Sequence, residues 1–98
     1  MCGAPAQDLS LEGIDVAAET VIQGTVTRGG EPEGGAYVRL LDSTGEFTAE
    51  VVTSATGAFR FFARPGSWTV RALASGDAVA ETTVTADQGA VTEAALAL

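Results

Sequence analysis

Between residues 58 and 74, apolar side chains recur at every second position on both sides of one turn, and this leaves few folds open. Phe59, Phe61 and Ala63 fall on one side of an extended chain, with Arg60 and Phe62 on the other. Past Arg64-Pro65-Gly66-Ser67, Trp68, Val70, Ala72 and Ala74 again share a side. A period of two in aromatic and β-branched residues marks a half-buried strand, whereas an amphipathic helix needs apolar residues three and four apart. These two faces are expected to hold the core.

The same rhythm runs from Thr20 onward, broken by turn signals roughly every eight to twelve residues, the spacing of a sandwich or barrel. The first expected strand, 20–28, sets Ile22, Gly24 and Val26 against Val21, Gln23, Thr25 and Thr27. The stretch 29–35 reads as a loop by its four glycines and its proline. A strand over 36–41 alternates Ala36, Val38 and Leu40 with Tyr37, Arg39 and Leu41. Asp42-Ser43-Thr44-Gly45 suits a type I turn, Asp first and Gly last. Further strands are expected over 46–53, 78–85 and 91–98; the last cannot be assigned a face because alanine is neutral. Residues 1–19 show no sustained period and read as a mobile N-terminal arm before a single β-sandwich domain, 20–98. The sum is an all-β, seven-stranded antiparallel Greek-key sandwich, with an open barrel as the other architecture.

Composition narrows the chemistry. Five arginines oppose thirteen acids for a net charge of −8. Nucleic acid and anionic membrane surfaces, which recruit clustered Lys and Arg, are therefore disfavoured as partners. The chain has no histidine, no lysine, no asparagine and one cysteine. An imidazole base is absent, a zinc site lacks its usual donors, and no internal disulfide can form. No metal or cofactor is expected. The first nineteen residues lack a basic n-region and an apolar h-region, so the cytoplasm is the expected location.

The carboxylate pairs Glu31 with Glu33 and Asp42 with Glu46 lie in or beside glycine-rich turns. Solvation there is the expected fate, not acid/base catalysis. Arg39, Arg60 and Arg71 fall opposite the core side of their strands and are expected to form one weakly basic face. A direct hairpin around 64–67 would set Arg60 opposite Arg71, and like charges there need an acid nearby. Glu46, Glu50 or Glu81 could supply it within the chain, or a small oxyanion or a partner's acid from outside; a crossing between sheets would remove the pairing. Cys2 is the one soft nucleophile, either an exposed thiol open to exchange and persulfidation or an incidental residue of the tail. Tyr37 and Phe62 are the exposed aromatics available to a sugar.

The block AYVRLLDS (36–43), continued by EFTAEV (46–51) and SATGAFRFFARPGSWTVRAL (54–73), together with Met1-Cys2-Gly3, resembles the small actinobacterial SseC proteins, associated with sulfur metabolism. The resemblance implies a cytosolic partner or accessory of a rhodanese-type thiosulfate sulfurtransferase and brings no enzymatic activity or catalytic residue; taken together with the position of Cys2 near the tip of the arm, it makes that thiol the candidate sulfur acceptor. A broader likeness, carried by Ile22-x-Gly24-x-Val26, Gly57-x-Phe59-x-Phe61 and Pro65-Gly66-x-Trp68-x-Val70, is to carboxypeptidase-regulatory and transthyretin-like domains. It implies a prealbumin-like fold and, as an alternative function, a small-ligand or carbohydrate-binding module. The expected binding residues are thus Cys2, Arg39, Arg60 and Arg71.

Overall fold

A computed structural model describes residues 18–98 of the 98-residue chain. Its elements, all strands, are β1 (Thr20–Arg28), β2 (Glu31–Pro32), β3 (Tyr37–Leu41), β4 (Phe47–Val52), β5 (Ala58–Phe62), β6 (Gly66–Ala74), β7 (Ala78–Ala86) and β8 (Ala90–Ala97). They form two sheets. In one, β1 is central: β8 runs along one side of it, while β5 and the short β2 share the other side end to end. The second sheet has the order β4-β3-β6-β7, antiparallel throughout.

The expected alternation is realised. Ile22, Val26, Val38, Leu40, Phe59, Phe61, Trp68 and Val70 all belong to one buried cluster between the sheets, joined by Ala72, Ala86, Ala94 and Leu96. Phe59 and Phe61 meet in a tilted arrangement with ring centroids 6.1 Å apart, within the range aromatic pairs favour. The interior also explains Gly24. It sits opposite Ala94 on the parallel strand, and a Cβ there would run into the Ala94 carbonyl oxygen.

Three expectations change. The loop 29–35 contains β2, paired to the end of β1 through Thr27–Pro32 and Arg28–Glu31. Gly29 and Gly30 both adopt positive φ, 62° and 86°, as a two-residue hairpin turn of the primed type requires; the glycines that read as loop are the hairpin. The sandwich is also not wholly antiparallel, because β8 lies parallel to β1 from Thr20–Ala90 to Thr27–Ala97. A period of two records which side of a strand is buried and is blind to its direction. The ambiguous last strand turns Ala94 and Leu96 inward.

The third change decides the surface. β5 and β6 do not pair; the chain crosses between sheets over residues 63–65, and β6 pairs with β3 and β7. Either connection would bury the same aromatic faces, so sequence alternation could not choose between them. Trp68 secures the crossing, its indole N–H donating to the Arg64 carbonyl at 2.8 Å. Thr53, 5% exposed, locks the other end: its hydroxyl donates to the Glu33 carbonyl at 2.7 Å and accepts from the Ala36 amide at 2.9 Å. Among the described residues, no helix is long and apolar enough to cross a membrane.

Candidate functional site

The outward side of the β4-β3-β6-β7 sheet is built as rows, because antiparallel register sets every second residue beside its counterpart on the next strand. One row runs Val52, Tyr37, Leu73, Val79 across all four strands. The next runs Glu50, Arg39, Arg71, Glu81. Beyond the irregularity at Leu40/Leu41 comes Phe47 beside Leu41, then Thr69 and Thr83. Tyr37, Phe47, Val52 and Val79 are each about half exposed or more. They are four of the five exposed large hydrophobic residues described; the fifth, Phe62, lies on the other sheet.

The middle row resolves a charge conflict. Arg39 and Arg71 stand directly opposite each other, which alone would destabilise the pair. Each turns instead to the acid on its far side: Arg39 Nε donates to Glu50 Oε2 and Arg71 Nε to Glu81 Oε2, both at 2.7 Å. The row is charge-balanced within a chain of net charge −8. These are the in-chain acids that the sequence suggested. Exposed pairs of this kind contribute only about 0.2–1 kcal/mol each, so they hold geometry more than stability.

Arg60 departs from the expected single basic face. It lies on the outward side of the other sheet, opposite Gln23, because β5 and β6 belong to different sheets. Its Nε donates to Gln23 Oε1 at 2.8 Å, and Gln23 Nε2 in turn donates to Glu93 Oε2 at 3.2 Å. Register places Arg60, Gln23 and Glu93 in one row across β5, β1 and β8. Gln23, only 4% exposed, was not singled out from sequence; its place among outward residues of a β-branched central strand is the signal that could have found it. Cys2, the remaining expected site residue, lies outside the described residues.

The carboxylate pairs do not form acid/base sites. Glu33 faces Arg28 at 3.5 Å, and Glu31 is exposed. Asp42 Oδ1 accepts from the Thr44 hydroxyl at 2.6 Å, the Thr44 amide at 2.8 Å and the Glu46 amide at 3.0 Å. The Thr44 hydroxyl first, then the backbone donors, hold the Asp42 carboxyl below the usual carboxylate range. A general acid at neutral pH needs the opposite shift. Among the described residues, no three of His, Cys, Asp and Glu gather as metal ligands would.

Comparison with known structures supports the fold. The chain is similar to the dioxygenase domain of a dioxygenase carbohydrate-binding protein fusion from Streptomyces sp. SirexAA-E, with TM-score 0.62 and 15% identity over 100% of this chain and 91% of that one. It is likewise similar to chlorocatechol 1,2-dioxygenase from Pseudomonas putida, with TM-score 0.60 and 15% identity over 100% and 68%. At such identity the likeness is one of β-sandwich architecture alone. In sequence, two uncharacterized proteins of Mycobacterium tuberculosis H37Rv, Rv0814c and Rv3118, are each 60% identical over 86 residues, covering 83% of this chain and 86% of theirs. An uncharacterized protein of Mycolicibacterium smegmatis is 67% identical over 64 residues, 64% of this chain and 71% of its own. A family model described as protein of unknown function, DUF1416, matches residues 2–98, and the chain belongs to that family.

Proposed function

We propose that this protein is a non-enzymatic accessory module that docks on a partner enzyme through the outward face of the β4-β3-β6-β7 sheet. The observation that carries the reading is the apolar row Val52-Tyr37-Leu73-Val79 on one side of a charge-balanced row, with the exposed Phe47 on the other. Exposed large hydrophobic residues gathered on one sheet face suit an interaction site. Self-association through it is disfavoured, since two copies would bring together a charge of −8 each.

The partner is a rhodanese-type thiosulfate sulfurtransferase, on the strength of the sequence resemblance, with the protein acting in the cytoplasm in sulfur metabolism. The prealbumin-like sandwich serves as docking body, and Cys2 as acceptor. In that step the Cys2 thiolate attacks the outer sulfur of the enzyme's persulfide; an S–S bond forms on Cys2, the enzyme's S–S bond breaks, and its thiolate leaves. The donor set supports a non-enzymatic role: no histidine or lysine in the chain, and Asp42 held ionised by its turn. The alternative of a sugar module on an aromatic platform is weakened because Tyr37 and Phe62 lie on different sheets.

The test is binding of the full chain to the purified thiosulfate sulfurtransferase of the source organism. Tyr37→Ser with Val79→Ser should weaken binding at least about tenfold, as loss of central apolar anchors does, while Phe62→Ser leaves it unchanged. Thiosulfate turnover should then add a single sulfur mass to the N-terminal peptide, absent in Cys2→Ser. No binding by the unsubstituted chain, or equal loss with Phe62→Ser, overturns the reading.

A further inference from the structure

A cavity of about 290 Å³ opens at the end of the sandwich where β5 crosses to β6, lined by Asp42 and Ser43 of the β3–β4 turn and by Arg64, Pro65, Gly66, Ser67 and Trp68. Several of its polar groups have no partner within the described chain. Arg28, Arg39 and Arg71 each face a glutamate, and Arg60 is bonded to Gln23. Among the described residues, Arg64 is the arginine whose side chain has neither an ion pair nor a hydrogen bond, and the Ser43 and Ser67 hydroxyls have none either. Asp42 spends Oδ1 on its turn and leaves Oδ2 without a partner.

The geometry points to a binding site for a small zwitterion of the α-amino acid class, its carboxylate on the Arg64 guanidinium and the serine hydroxyls, its ammonium on Asp42 Oδ2. The other small-ligand classes fit less well. A bare anion would meet the Asp42 carboxylate, which its hydrogen bonds keep ionised, and a bare cation would meet Arg64. A sugar would need an aromatic face to stack on, and Trp68 is only 9% exposed, its indole N–H already given to the Arg64 carbonyl. A ligand with both charges meets a partner for each, and Arg is the side chain best shaped for a carboxylate. The volume falls just below the ~300–1,000 Å³ of pockets for drug-sized molecules, so the occupant is small. Because the site is open and its cation exposed, binding is weak, with Kd on the order of 1 mM. The inference stands independently of the sheet-face reading, since it uses no residue of that face.

Titration of the full-length ¹⁵N-labelled protein with glycine tests it. Saturable shifts are expected at the Trp68 indole N–H and the Gly66 and Ser67 amides, and not at Tyr37 or Val79. Arg64→Gln should weaken glycine binding at least about tenfold with an unchanged melting temperature. Asp42→Asn keeps an Oδ1 acceptor for the turn while removing the charge, and should weaken binding similarly. N-acetylglycine and glycine methyl ester, each lacking one charge, should both fail to saturate. The site is refuted if glycine gives no saturable shifts, if Arg64→Gln binds glycine normally, if N-acetylglycine binds as well as glycine, or if glucose saturates where glycine does not.

Discussion

The two outward faces of the sandwich have the same alternation in sequence and opposite fates in space. On the β8-β1-β5 sheet, Val21 is fully buried and Gln23 4% exposed although both point away from the core cluster, and Gln23 bridges Arg60 and Glu93. On the β4-β3-β6-β7 sheet, the outward Tyr37, Val52 and Val79 are about half exposed, and the arginines reach acids at the sheet's edges. Outward is therefore not the same as exposed. Along β1 the first face spends its polar groups on internal order, with Phe62 its one exposed large hydrophobic residue among those described, whereas the second leaves four such residues open to a partner.

The interior shared by both faces sets the scale. Trp68→Ala should cost about 3–5 kcal/mol, the usual loss for a large buried aromatic, and chemical denaturation should show the loss while resonances of both faces disperse less. If only one face responds, the sheets do not share a single core. Gln23→Ala should cost about 1–3 kcal/mol, because it removes a nearly buried, hydrogen-bonded bridge between strands; a change under about 0.5 kcal/mol would make the first face as ordinary a surface as the second.

Replacing the apolar row on the second face should do the reverse. Tyr37→Ser with Val79→Ser is expected to move stability by no more than about 0.5 kcal/mol per site, read by thermal melting, while partner binding falls. A double-mutant cycle on Arg39 and Glu50 should give a coupling of about 0.2–1 kcal/mol, shrinking as salt is raised. The last effect concerns the rim between the faces. Since the folded-state pKa of Asp42 is depressed, its contribution to stability is present above the ordinary carboxylate pKa and fades as pH falls through the lowered value. A carboxyl NMR titration should place the Asp42 midpoint below that of Asp42 in the unfolded chain, and Thr44→Ala should raise it.

Much of this was legible without coordinates. Alternation alone identified Ile22, Val26, Val38, Leu40, Phe59, Phe61, Trp68 and Val70 as core, because burial of one side of a strand is written locally at period two. The Asp42–Gly45 turn was legible for a similar reason: its side-chain and conformational requirements are met within four residues. Partnership is different. Which strands pair, and in what direction, depends on contacts between distant residues that an alternating pattern satisfies equally well in several arrangements. The crossing at 63–65 sent Arg60 to one sheet and Arg71 to the other, against Arg39. The same crossing put Arg64 and Asp42 on the lining of one cavity. The parallel β1–β8 pair followed from tertiary packing, since the alanine-rich last strand carries no preference of its own. Sequence determined what each strand hides; only the folded chain decided which residues meet on the outside, because that is a property of neighbours and not of any single strand.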